Sequence, residues 1–358
     1  MANEQTGVVV MPEPLRRFIS ELFQKQGVPQ DEAAIVADHL VEADLRGVYS
    51  HGTIRIQPYI ERLKAGGMNP RPKIKVLRET PGTALVDGDN GLGQVVGVRA
   101  MEIAIKKAKE VGISHVGVRM SNHFGTCAYY ALMAVPHDMI GVAMTVSGSN
   151  IMAPWGGITP LLGNNPIGVA IPAGKEYPVV LDMAMSVVAK GKIVHAMKAG
   201  IPIPPTWGLN KYGEPTTDAK EAFEGLVQPV GGYKGYAMSF VIGVIGAVLN
   251  GAAFTHEVTD FYHNMKDPQN TGFTFQAIDI SAFMEPSAFK ARIDEAIAEM
   301  HASELARGND RIYVPGEIEW LKREENLKKG VSIAPAVWAD MTAISRELGV
   351  PLPPTVEP

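Results

Sequence analysis

The chain has 358 residues, a length that predicts about two compact lobes with a sizeable buried core. Hydrophobic residues make up 46% of it and charged residues 20%, which is ordinary globular composition and excludes disordered, collagen-like and disulfide-scaffold classes. The formal net charge of −5 is spread without a basic block, so the composition gives no support for nucleic-acid binding.

The first eighty residues are predicted to be mostly helical. One helix begins after Pro29, with acidic residues in its first turn and apolar residues at helical spacing over 33–41. A second helix is expected over 54–65, ending at Gly66, because helices commonly end where a left-handed residue follows. One face of each of these helices must be buried.

From about residue 73 the sequence changes to short β-prone runs, and some of them are separated by helical patterns. The runs are KIKVL, TALVD, SHVGVR, IGVAMTV, GVAIP, PVVLDM and GFTFQAIDI. This alternation predicts a large α/β domain whose sheet is mixed rather than purely parallel. After about residue 285 the sequence is helical again, over 288–306, 317–328 and 336–348.

Two features bear on the cellular environment. Cys127 is the only cysteine, which excludes an internal disulfide and suits a reducing compartment; it is interpreted as a small buried residue rather than a nucleophile. The first 18 residues lack a signal-peptide pattern, so we expect a cytoplasmic protein.

The segment 237–254 is long enough for a membrane span, but Ser239, Asn250 and interior glycines interrupt it. It is predicted to be a fully buried helix that packs closely against a neighbour or a dimer partner, with no membrane association.

The bend RMSNHFG, residues 119–125, follows a β-prone run and precedes a helical one. His123 is therefore expected where a strand ends and a helix begins, which is where open α/β sheets place ligands. Histidine suits proton transfer because its pKa lies near neutrality. The alternative is that 121–123 only cap the next helix through side-chain hydrogen bonds.

A second bend, ADLRGVYSHGTIR at residues 43–55, gathers Arg46, Ser50, His51 and Arg55 between two helices. His51 and Arg55 are four residues apart, so both can face one direction if the second helix begins near Gly52. A guanidinium pairs bidentately with a carboxylate, so this bend could hold a carboxylic acid. The alternative is a solvated helix junction with His51 as a cap.

Other motifs are weaker or missing. Gly91, Gly93 and Gly97 follow a strand and precede a helix, but the spacing G-x-G-x-x-x-G differs from the Rossmann phosphate loop, so we interpret them as a tight turn. The nine histidines are scattered without metal-ligand spacing, and no metal is expected. G-x-S-x-G and Walker patterns do not occur, which disfavours hydrolase and phosphoryl-transfer chemistry.

Several separated segments together resemble one family, the malate/L-lactate dehydrogenases of the non-Rossmann type. That family includes ureidoglycolate and sulfolactate dehydrogenases, 2,3-diketo-L-gulonate reductase and cyclic ketimine reductases. The matching segments lie in the expected order between about residues 40 and 320: DLRGVYSHGTIRI, DGDNGLGQVVG, SNHFGTCAYYA, LLGNNPIGVAIP, VLDMAMSVVAKGKI, GGYKGYAMSF and VPGE.

The resemblance implies an α/β fold in which a large mixed sheet of non-Rossmann type binds NAD or NADP, with NAD favoured, and a homodimer is the active unit. It implies that His123, or else His51, transfers the proton. It also implies that Arg55, and less directly Arg46 and Ser50, hold the substrate carboxylate.

The same resemblance implies a set of cofactor contacts. They are Ser147, Asp182, Met183, Ala184, Lys234, Gly235, Gly316 and Glu317. Lys234 can pair with a phosphate, whereas Asp182 could instead be catalytic and orient a histidine. The turn GGYKG departs from the commoner family pattern, which puts contacts at Gly232 and Tyr233 in doubt.

The expected division is an N-terminal helical part (1–75), a mixed-sheet cofactor domain (76–285) and C-terminal helices (286–358) that pack with the N-terminal part. The expected function is interconversion of a small 2-hydroxy acid, of the malate, lactate, sulfolactate or ureidoglycolate type, with its 2-oxo acid by hydride transfer. The alternatives are a cyclic ketimine reductase and a catalytically silent dinucleotide-binding protein.

Overall fold

The computed structural model describes residues 7–356, so residues 1–6 and 357–358, the outer ends of the two predicted helical parts, lie outside the described residues. The α-helices are α1 (Pro12–Lys25), α2 (Gln30–Leu45), α3 (Ile56–Ala65), α4 (Gly93–Val111), α5 (Cys127–Met133), α6 (Lys190–Ala199), α7 (Ala219–Glu224), α8 (Tyr233–Gly246), α9 (Pro286–His301), α10 (Glu317–Lys329) and α11 (Pro335–Leu348). The strands are β1 (Val8–Val10), β2 (Lys75–Glu79), β3 (Thr83–Asp87), β4 (Ile113–Ser121), β5 (Met139–Thr145), β6 (Ile167–Ile171), β7 (Val179–Met183), β8 (Gly208–Leu209), β9 (Pro215–Thr216), β10 (Leu226–Val227), β11 (Thr271–Asp279), β12 (Val331–Ile333) and β13 (Thr355–Val356).

The central unit is a seven-stranded sheet with the order β2-β3-β4-β11-β5-β6-β7. β3 and β4 run parallel, and every other neighbouring pair is antiparallel. β11 is buried on both faces over its first five residues, although its sequence TGFTFQAID is not continuously apolar. Phe273 and Phe275 enter the core beside α4 and α5, while the Thr274 hydroxyl donates to the Ile245 carbonyl of α8 at 3.0 Å. The predicted mixed α/β sheet is confirmed.

A second core forms where the two ends of the described chain meet. β1 lies between β12 and β13 in an antiparallel sheet, with Val8 opposite Ile333 and Val9 opposite Val356. The apolar faces of α1, α2, α3 and α11 pack around it in one cluster. α3 ends at Gly66, as predicted, with a φ of 84° that favours glycine. The three-part division at 75/76 and 285/286 stays a prediction.

The glycines after β3 serve close packing. A Cβ on Gly93 would lie 2.3 Å from the Asn122 carbonyl oxygen and 2.4 Å from that of His123. A Cβ on Gly97 would lie 2.6 Å from the Tyr130 ring. The interpretation as a tight turn is supported, because these glycines let the bend that carries His123 lie directly against the first turn of α4.

The apolar segment 237–254 differs from its prediction. α8 ends at Gly246 and a short 3-10 turn, Val248–Asn250, follows. Phe240 and Val241 on α8 are 44% and 52% exposed, and Leu249 in the turn is 64% exposed. The prediction of full burial is therefore wrong for the single chain, because α8 packs only one face on the sheet. Tyr233–Asn250 has the length and hydropathy of a membrane span, but one such segment is weak evidence because core helices share that pattern.

Candidate active site

One large cavity lies between the helical core and the sheet. Its volume is about 1540 Å³, which exceeds the roughly 300 to 1000 Å³ of ordinary ligand pockets. Its lining includes residues from both predicted bends, among them His51, Arg55 and His123. The cavity therefore has room for a dinucleotide together with a small acid.

The structure brings the two predicted histidines together. The rings of His51 and His123 are stacked with their centres 5.5 Å apart and their planes 21° from parallel. His123 follows the end of β4, and its backbone N–H donates to Oε1 of Gln269 at 3.1 Å. His51 lies in a 3-10 turn, and its Nδ1 is 2.9 Å from the Ser50 hydroxyl. Two residues 72 positions apart in the chain thus line the same cavity.

Arg55 lies beside this pair. Its Nε donates to the Ser50 carbonyl at 2.7 Å, and one terminal nitrogen donates to the Tyr262 hydroxyl. Those bonds use two of the five N–H groups of the guanidinium, which leaves much of the donor fork for a ligand. In the part of the chain that the structure describes, no carboxylate forms an ion pair with Arg55. The arrangement suits an anionic substrate group.

Sequence reasoning missed Tyr59 and Gln94. The Tyr59 hydroxyl is 2.7 Å from Nδ1 of His123, and Nε2 of Gln94 is 2.9 Å from the same hydroxyl. Both side chains are fully buried. Tyr59 is one helical turn beyond Arg55 on α3, a spacing that could have indicated a shared direction, but nothing in the sequence marks Gln94.

Both imidazoles are held in the neutral form. Burial, followed by the nearby charge of Arg55, lowers the pKa of His51 to about 3. Burial is also the largest cause that lowers the pKa of His123 well below its usual value, followed by the charges of Arg55 and His51. Both rings are therefore uncharged at pH 7 and keep a lone pair that can accept a proton, although a lowered pKa makes each a weaker base than a free imidazole.

A buried carboxyl supports the bend that carries His51. Oδ2 of Asp44 accepts the Thr53 backbone N–H at 2.9 Å, and a Cβ on Gly52 would lie 1.7 Å from Oδ1 of Asp44. Glycine at 52 therefore lets the turn close over the carboxyl. Burial raises the pKa of Asp44 to about 7, because the hydrogen bonds from Thr53 only partly replace the water that would stabilise the charged carboxylate.

Asp44→Asn is expected to stabilise the protein increasingly as the pH rises. The folded-state pKa of about 7 exceeds the ordinary 3.8, so the folded protein holds the Asp44 proton more tightly than the unfolded chain does. The stability that this proton contributes is complete below pH 3.8 and is lost as the pH rises through 7. Asparagine keeps an acceptor for Thr53 and does not ionise. The free energy of unfolding of the variant relative to wild type should rise by about 2 to 4 kcal/mol between pH 4 and pH 8.

Urea unfolding at pH 4, 6 and 8 measures this difference. Asp218→Asn is the matched control, because Asp218 is the exposed N-cap of α7 and asparagine caps equally well. A pH-independent difference for Asp44→Asn would contradict the prediction.

Arg46 and Ser50 occupy different surroundings. Ser50 adjoins His51 and Arg55, as described above. Arg46 is only 6% exposed and stacks over the Trp320 ring, 4.3 Å from its centre. Its two terminal nitrogens lack hydrogen-bond partners among the described residues, although Oε1 of Glu42 is 3.9 Å away. These N–H groups could serve a ligand in the cavity.

Only some of the predicted cofactor residues line the cavity. Those that line the cavity are Ser147, Asp182, Ala184 and Gly316, whereas Met183, Lys234, Gly235 and Glu317 are not part of the described lining. Lys234 is exposed at the start of α8. Glu317 is buried and is bonded by His301, Arg311 and the Val314 backbone.

Asp182 contacts backbone rather than a histidine. Its Oδ2 accepts the N–H of Ala128, at the start of α5, at 2.8 Å. Among residues 7–356, no hydrogen bond joins it to His51 or His123. Over the same range, His, Cys, Asp and Glu side chains form no group of three or more that could hold a metal ion.

Comparison with known proteins gives full-length matches. The family model for malate/L-lactate dehydrogenase matches residues 10–342. The malate dehydrogenase of Pyrococcus horikoshii is 41% identical over 355 residues, covering 97% of each chain. The L-sulfolactate dehydrogenase of Methanocaldococcus jannaschii is 41% identical over 350 residues, covering 98% of this chain and 100% of the relative. The solved sulfolactate dehydrogenase from that organism, at 41% identity and the same coverage, superposes with a TM-score of 0.91.

The fold and site define an α/β protein of non-Rossmann type, because the large sheet is mixed rather than doubly wound and the cavity beside it holds a histidine pair and the Arg55 guanidinium. With the matches above, the chain belongs to the malate/L-lactate dehydrogenase family. It is therefore an oxidoreductase that uses a nicotinamide dinucleotide and acts on hydroxy acids.

Proposed function

We propose that the protein interconverts a small 2-hydroxy acid and its 2-oxo acid, with His123 as the proton-transfer group and Arg55 as the carboxylate anchor. The observation that carries this proposal is the stacking of His51 and His123 at 5.5 Å beside a guanidinium with free donors. Malate and sulfolactate, the acids in the names of the relatives, both have a carboxylate next to a carbinol carbon.

The mechanism assigns one task to each side chain. Arg55 donates a bidentate pair of hydrogen bonds to the substrate carboxylate and so orients the carbinol carbon. Nδ1 of His123 is engaged by Tyr59, so Nε2 is the ring nitrogen left to accept the hydroxyl proton. A bound nicotinamide ring supplies the acceptor for the hydride. In the reverse direction the imidazolium returns its proton to the carbonyl oxygen.

The cavity fits a dinucleotide by its size and by the Arg46 guanidinium, which pairs with Glu42 but keeps two terminal nitrogens without hydrogen bonds among the described residues. Oxygens of a phosphate or ribose would satisfy the two terminal nitrogens of Arg46, whose guanidinium contacts Trp320 rather than the histidine pair. For this reason we assign the substrate carboxylate to Arg55 and Ser50, and Arg46 to the dinucleotide. Ser147, Ala184, Gly316 and Asp182 would line the same site, and Met183, Lys234, Gly235 and Glu317 stay predictions.

The finer assignments are also proposals. We favour NAD over NADP, a homodimer as the active unit and a cytoplasmic location. The exposed apolar face of α8 and of the 3-10 turn after it is compatible with a dimer contact, because Phe240 and Val241 on the helix and Leu249 in the turn would otherwise stay in water.

A substrate panel tests the proposed function. Oxaloacetate, pyruvate, sulfopyruvate and a cyclic ketimine are each offered with NADH and with NADPH, and absorbance of the reduced nicotinamide is followed. We expect turnover with at least one 2-oxo acid. Turnover of the ketimine alone would favour a C=N reductase, because an imine beside a carboxylate needs the same proton donor. Cofactor binding without any turnover would favour a silent dinucleotide-binding protein.

A further inference from the structure

A hydrogen-bonded chain of three side chains, His123, Tyr59 and Gln94, leads from the cavity into the protein interior. Gln94 lies in the first turn of α4, Tyr59 lies on α3, and His123 follows β4, so three separate elements meet there. Tyr59 and Gln94 are 0% exposed, and only His123 reaches the cavity. Buried polar chains of this kind fix one hydrogen-bonding pattern, because unpaired members are costly.

The pattern has two possible directions. In the orientation described, Nε2 of Gln94 donates to the Tyr59 oxygen, and Oε1 is buried without a hydrogen-bond partner. A half-turn of the amide exchanges the two atoms, so Oε1 would accept the Tyr59 proton. Because Oε1 is unpaired in the orientation described, that orientation is not fixed by a complete set of hydrogen bonds.

The proposed reaction chooses between the two directions. If Gln94 donates, the Tyr59 proton points to Nδ1 of His123, and a neutral ring then carries its own proton on Nε2. Such a ring cannot accept the hydroxyl proton of the substrate. If Gln94 accepts, Nδ1–H donates to Tyr59 and the Nε2 lone pair faces the cavity. The proton then moves from the substrate oxygen to Nε2 with no change in the buried chain.

We propose that Gln94 is a positioning residue whose Oε1 accepts the Tyr59 hydroxyl proton and thereby holds His123 as the Nδ1–H tautomer. The inference rests on the proposed function for its direction, but the tautomer is a property of the protein without substrate. The close approach of Gly93 to the His123 bend places the neighbouring Gln94 beside that bend, within hydrogen-bonding distance of Tyr59.

The test is the ¹⁵N NMR spectrum of histidine-labelled protein, with the His123 signals identified by their loss in His123→Ala. We expect wild-type His123 to carry its proton on Nδ1 at pH 7. Gln94→Met, which removes both amide atoms at similar volume, should give a mixture of tautomers. It should also lower kcat for hydroxy acid oxidation by about ten-fold, the equivalent of one hydrogen bond, with KM within about two-fold.

Two further variants complete the experiment. Gln94→Glu restores an acceptor and should recover the Nδ1–H tautomer and most of kcat. Gln276→Met is the matched control, because it removes a part-buried glutamine–histidine contact, with His115 at 3.1 Å, outside the cavity lining. A wild-type proton on Nε2, or unchanged tautomer and kcat in Gln94→Met, would overturn the proposal. An Nδ1–H ring in a protein that turns over no hydroxy acid would instead refute the proposed function alone.

Discussion

Replacing His123 by alanine is expected to lower kcat for hydroxy acid oxidation by about 100- to 10,000-fold, the range for loss of a positioned general base. The hydroxyl proton would then have no acceptor as hydride leaves. The fold should survive, because His123 faces the cavity and its partner Tyr59 keeps the contact with Gln94. Steady-state kinetics, with circular dichroism to verify folding, measure both effects.

His51→Ala is expected to lose activity as well, because its ring stacks on His123 and faces the same ligand space. A smaller loss than in His123→Ala would agree with the assignment of the proton to His123. His137→Ala is the matched control, since His137 is exposed and lies outside the described cavity lining. Near-normal turnover in both active-site variants would show that neither imidazole transfers the proton.

The regular elements could be predicted because their signals are local. The period of apolar residues marked α2, and Gly66 marked the end of α3. Even so, the order of the sheet could not be read, because β11 inserts between β4 and β5 from about 130 residues further along the chain. The exposed face of α8 could not be predicted either. A continuous apolar sequence is equally typical of a helix buried inside one chain and of a helix whose outer face contacts a second chain.

The site was predicted in its residue types and only partly in its geometry. His51, His123 and Arg55 belong to polar bends, which attract attention as breaks between regular elements. Tyr59 and Gln94 belong to regular helices, where the four-residue step from Arg55 to Tyr59 is a weak signal and Gln94 has none. What brings them to His123 is the meeting of α3 and the first turn of α4 at the Tyr59–Gln94 hydrogen bond, and that is a tertiary property.

Arg55→Met is expected to lower kcat/KM for the hydroxy acid by about 100- to 1,000-fold, because the substrate carboxylate would lose its charged partner inside the cavity. Arg55→Lys should be intermediate, since lysine keeps the charge but not the planar fork of donors. Initial rates over a range of hydroxy acid concentrations separate the effect on KM from the effect on kcat. Arg78→Met, on the exposed strand β2, is the matched control.

A neutral substrate analogue makes the role of Arg55 specific. The amide of the same hydroxy acid lacks the charge that Arg55 would pair with, so wild type should discriminate strongly between acid and amide. If the guanidinium binds the carboxylate, Arg55→Met should lose most of that discrimination, because the two changes remove the same interaction. If Arg55 only braces Ser50 and Tyr262, both substrates should slow equally and the preference for the acid should persist.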